Sequence, residues 1–71
     1  MMYKMNNLNE IRSQIVEADK HYQWHAKVKI NGPSAQRILT VIVPSSIIAQ
    51  EVREWVDRQS FKNNVEVINL L

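Results

Sequence analysis

The 71-residue sequence predicts a single small α+β domain of order α-β-β-α-β, its three strands forming a mixed sheet with the main helix on one face. Three observations carry that expectation. Leu8, Ile11, Ile15, Ala18 and Tyr22 recur at spacings of three and four, an apolar stripe of helical period. Next come two β-patterned runs, separated by a turn cluster that holds the only glycine. A second helical stripe then links the second run to a β-prone C-terminal segment. A helix between two strands of one sheet makes those strands parallel, by a right-handed crossover.

Residues 1–7 read as a frayed lead-in, and Asn7 with Glu10 forms an Asn-x-x-Glu variant of the capping box. A helix is expected over 7–19, with Arg12, Gln14, Glu17 and Lys20 off the apolar stripe. From His21 to Ile30 the period falls to two. Tyr22, Trp24, Ala26, Val28 and Ile30 then share one strand face, and His21, Gln23, His25, Lys27 and Lys29 the other. Asn31-Gly32-Pro33-Ser34 is a turn, because glycine admits positive φ beside a proline of fixed φ. Residues 37–43 return as the second arm of an antiparallel hairpin. Pro44 cannot donate to a ladder and ends that strand, and Ser45 or Ser46 caps a helix over 46–59. In that helix Ile48, Val52, Trp55 and Val56 share a face. Phe61 tucks against its end, residues 62–64 form a polar turn, and residues 65–71 make the third strand. Whether that strand lies beside the first or the second is left open.

The second strand is the unusual element. Leu39, Val41 and Val43 point to one side, while Ile38 and Ile42 point to the other with Thr40 between them. A strand with one face in water alternates apolar and polar residues, so this one needs cover on both sides. Two arrangements are possible. If the first helix lies across the rear, Leu8, Ile11, Ile15 and Ala18 bury Ile38 and Ile42, and the domain is self-sufficient. If it packs at the sheet edge instead, an apolar patch bordered by lysines is exposed, and such patches mark association sites.

Composition narrows the function classes. An apolar fraction of 45% and a charged fraction of 23% are those of a globular chain and argue against disorder. The absence of cysteine excludes a disulfide framework and a thiolate metal site. The longest apolar stretch, residues 38–49, contains Thr, Pro and two Ser and is too short to span a bilayer. No stretch of signal-peptide character opens the chain. The expectation is therefore a cytoplasmic protein with no membrane role. A net charge of +2 implies no polyanionic partner by itself.

Nothing in the sequence points to catalysis. His21 and His25 on one strand face would stand about 13 Å apart, too far to share an ion. Glu51, Glu54 and Asp57 read as solvated helix charges. No Ser-His-acid order, phosphate-binding glycine loop, HExxH or CxxC is present, and the chain is too small for much of a pocket of ~300 Å³. No enzyme activity, cofactor, metal or small-molecule substrate is expected.

Two binding readings compete. In the first, Ile38, Thr40, Ile42, Ile68 and Leu70 form a protein interface, for a homodimer or another protein partner. The free backbone groups of a C-terminal edge strand add to that case. In the second, His25, Lys27, Lys29 and Arg37 form a basic face for RNA or single-stranded DNA. Against it, Tyr22 and Trp24 fall on the opposite face, whereas a stacking platform needs aromatics among its cations. The order also departs from the α-β-β-β-α of the double-stranded RNA-binding fold. These residues identify no family. Very short domains without cysteine or motif are frequent among accessory proteins of phages and mobile elements, many of which bind a host protein.

Overall fold

The structure, a computed structural model, describes residues 8–32 and 38–70. Helix α1 spans Leu8–Tyr22 and is followed by β1 (Lys27–Asn31) and β2 (Ile38–Val43). Helix α2 (Ser46–Asp57), a 3-10 turn at Lys62–Asn64 and β3 (Val65–Asn69) follow. The expected order and mixed sheet are found. The lead-in over 1–7 with its Asn7 cap, and the hairpin loop over 33–37, lie outside the described residues.

The sheet order is β1-β2-β3, which resolves the question of the third strand: β2 is central. β1 pairs with it antiparallel and β3 parallel. Only a strand with a neighbour on each edge has all its outward backbone groups engaged, and the most apolar strand takes that place.

Helix α1 runs to Tyr22, three residues past the expected end. Its stripe buries Ile11, Ile15 and Ala18, and Glu10 in the first turn and Lys20 and His21 in the last complement the helix dipole. Closure falls on Gln23, at φ 59°, whose amide donates to the Asp19 carbonyl at 2.7 Å. The Trp24 amide reaches the same carbonyl at 3.4 Å, so the helix closes on a left-handed cap occupied by a residue other than glycine.

The expected strand over 21–30 therefore shrinks to five residues, Lys27–Asn31. The alternation at Tyr22, Trp24 and Ala26 came from a helix end and a bend, not from a pleat. His25 also has a left-handed φ of 57°, so Trp24 sits between two reversals that turn its ring inward, where it is 1% exposed. The bend is tied to the helix by the Asp19 carboxylate, which accepts from the Ala26 amide at 3.2 Å. Non-local burial of one large ring overrode the local period.

At the second helix the Ser45 hydroxyl accepts from the Ile48 amide at 3.1 Å and the Ser45 carbonyl from the Ala49 amide at 2.9 Å. Ala49, Val52 and Val56 are buried. The helix ends at Asp57, two residues before the expected 59, and Phe61 folds back with its ring 6.1 Å from that of Trp55.

Both helices contribute to one core. Ile11, Ile15 and Ala18 of α1 and Ala49, Val52 and Val56 of α2 cluster with Leu39, Val41 and Val43, the same side of β2. Val28, Val65 and Val67 pack against that cluster from the outer strands. The first helix thus does not lie across the rear of the sheet. The domain has two layers.

Candidate protein-docking face

The side of the sheet away from the helices is defined by register. Lys27 pairs with Ile42, Lys29 with Thr40 and Asn31 with Ile38 across the antiparallel ladder. Thr40 pairs with Glu66 and Ile42 with Ile68 across the parallel one. Paired residues point to the same side. Two full rows therefore cross the rear, Lys29-Thr40-Glu66 and Lys27-Ile42-Ile68, with Asn31-Ile38 beside them.

No helix among the described residues covers these rows. Ile38 and Ile42 are half-buried, shielded only by their neighbours on the sheet, and neither belongs to the core cluster. Ile68 is 37% exposed and Leu70, just past β3, is 68% exposed. The Leu70 amide still donates to the Val43 carbonyl at 3.1 Å, which holds Leu70 in line with the sheet. Thr40 differs from its expected role as a contact residue. Flanked by Lys29, Glu66, Ile38 and Ile42 in the middle of the middle strand, it is 1% exposed. Its hydroxyl accepts from the Asn31 side-chain amide at 2.9 Å. It acts as the floor of the face, not its surface.

The basic set separates. Lys27 and Lys29 share the rear with the isoleucines and are exposed. His25 precedes β1 in its left-handed bend and is not on that strand face, a correction that follows from the shorter strand. Arg37 lies outside the described residues. His21 is on the last turn of α1, so the two histidines occupy different elements and not one strand face. No group of three metal-ligating side chains converges among the described residues.

All of the described aromatic rings are on the helix side. Tyr22 stacks on Trp24 at 5.3 Å and 16°, Trp24 meets Trp55 edge-on at 5.6 Å, and Trp55 meets Phe61. The Trp24 indole N–H is buried and has no hydrogen-bond acceptor among the described residues. Beside this cluster runs a feature that sequence reasoning missed, an open groove of about 440 Å³ between α1 and Trp55, lined also by Ser13, Glu17, His21 and Tyr22. It exceeds the volume expected for so small a chain, yet it is a wide surface groove and not an enclosed cavity. Its only sequence signal was Tyr22, which continues the α1 stripe one turn beyond the helix end that local patterning implied.

No family model, no curated protein and no solved structure matches this chain. Among the described residues, no helix is long and apolar enough to cross a membrane.

Proposed function

We propose that this protein is a non-enzymatic, cytoplasmic interaction module that docks a protein surface on the rear of its sheet. One observation carries the reading: both helices pack on the same side of β2, so Ile38, Ile42 and Ile68 have no covering layer among the described residues. Leaving half-buried isoleucines on the solvent side costs hydrophobic stabilisation of ~25 cal/mol per Å², which a partner surface recovers. The rim of Lys27, Lys29 and Glu66 suits such a face, since interfaces carry apolar centres within polar borders. The nucleic-acid reading is less favoured. Its cations stand among isoleucines, and its candidate stacking rings, Tyr22 and Trp24, belong to the aromatic cluster on the helix side.

The test is the sedimentation of the labelled chain in buffer and in an extract of the source cells treated with nuclease. Wild type is expected in a particle heavier than its own 8.3 kDa in at least one of these. Ile42→Lys is expected as a folded monomer in both. Wild type that remains at monomer mass throughout refutes the reading, as does an Ile42→Lys chain that fails to fold while Ile68→Lys, further from the centre, leaves the complex intact.

A further inference from the structure

The charges on the rear face are arranged in a way that selects an occupant. Lys29 lies on β1 and Glu66 on β3, in one row with Thr40 midway between them. Lys27 extends the cationic side along β1, and Ile42 and Ile68 fill the next row. The face is therefore basic along one edge, anionic at the opposite edge and apolar between.

Resting on the docking reading above, we infer that the occupant is a second copy of this chain, packed sheet on sheet about a two-fold axis that runs along β2. That operation leaves β2 over the partner's β2 and exchanges the outer strands. Lys29 then stands over the partner's Glu66, and Glu66 over the partner's Lys29, because both share the row of Thr40. Ile42 meets the partner's Ile42, and Ile68 meets the partner's Lys27, whose aliphatic stem offers apolar cover. A two-fold axis across the strands would stack lysine on lysine and Glu66 on Glu66. Aligned sheets cross at about 30°, which displaces the outer strands by only ~2–3 Å, well within the reach of a lysine. Of the two face-to-face symmetries, charge favours one.

Area sets the strength. Three strands about 4.8 Å apart and five residues at about 3.3 Å make a face of roughly 14 by 17 Å, about 240 Å² in projection on each protomer. That is smaller than a standard specific interface, so the dimer is a weak one. Two-fold pairing through one self-complementary patch closes without further growth.

The experiment is sedimentation equilibrium of purified chain in low-salt buffer, from about 1 to about 500 μM. Wild type is expected to shift from monomer to dimer within that range. Lys29→Glu and Glu66→Lys each place two like-charged pairs across the interface and are expected to weaken dimerisation about tenfold. An equimolar mixture of the two variants regains both pairs in the heterodimer and is expected to associate as wild type does. The Lys29→Glu/Glu66→Lys double variant is expected to do the same alone. Association that ignores these exchanges, or a mixture no better than its components, overturns the placement about β2. Wild type that stays monomeric at about 500 μM overturns self-association altogether. If that chain nevertheless gains mass in extract through Ile42, the docking reading survives with a different protein as occupant, and the two failures are told apart.

Discussion

Val41 and Ile42 are neighbours on one strand that face opposite layers, and replacing each by threonine measures how different those layers are. Val41 is 0% exposed beneath both helices, and as part of the central strand it sits among backbone groups already engaged in two ladders. Val41→Thr puts a hydroxyl there without an acceptor. An unsatisfied buried hydroxyl costs ~1–3 kcal/mol, and the lost apolar group adds ~0.8 kcal/mol. The expected loss is about 2–4 kcal/mol, a large share of the ~4–10 kcal/mol that a domain of this length has in all. Ile42→Thr removes one carbon more than Val41→Thr, but from a half-buried site where the new hydroxyl meets water, so only about 1 kcal/mol should go. For a chain of this size each kcal/mol moves Tm by ~4–8 °C. Thermal unfolding followed by circular dichroism at about 1 μM, the dilute end for the proposed dimer, should therefore show a fall of about 8–30 °C for Val41→Thr and about 8 °C or less for Ile42→Thr. Raising the concentration should widen the deficit of Ile42→Thr relative to wild type, because association stabilises only the chain that makes it. Equal losses at low concentration would mean that the rear of the sheet is as dry as the front, and the two-layer description would fail.

Three further outcomes follow from the local geometry. Gln23→Gly relieves a left-handed residue that costs ~1–2 kcal/mol, against ~0.5–1 kcal/mol of added unfolded-state freedom, so Tm should rise by a few degrees in a melting experiment. A fall would show that the Gln23 side chain matters more than its φ. Ser45→Ala removes the acceptor for the Ile48 amide and should cost ~1 kcal/mol in urea unfolding at unchanged m-value, whereas Ser46→Ala, inside the helix, should be near neutral. Asp19→Ala releases the Ala26 amide and should speed hydrogen exchange through residues 23–26 ahead of the rest of the chain; uniform protection across that bend would count against the Asp19 tether.

Much of the architecture is visible in residue patterns because it is written locally. The β2 run is apolar on both sides by composition, the Ser45 cap follows from its position after Pro44, and the helical periods place Ile11, Ile15, Ala18, Val52 and Val56 in the core, although Tyr22 stays exposed and Ala49 is buried off the expected stripe. The misreading at residues 21–26 has an equally local origin. Tyr22, Trp24 and Ala26 satisfy a period of two whether the chain is pleated or bent, and nothing nearby says that two non-glycine residues will accept positive φ. Likewise the candidate interface residues are legible from alternation, but the rows that set Lys29 and Glu66 on either side of Thr40 depend on which strand lies beside which.

The amino-acid order alone determines the succession of elements, the apolar side of each helix and the two-sided greasiness of β2, since each of these is a property of a few consecutive side chains. The central place of β2, the inward turn of Trp24 and the packing of α1 beside α2 on a single side of the sheet were decided only by the tertiary structure. An element's period states which of its own faces is apolar, but not which of several distant surfaces that face will meet. That choice depends on contacts between residues far apart in the chain, each competing for the same core.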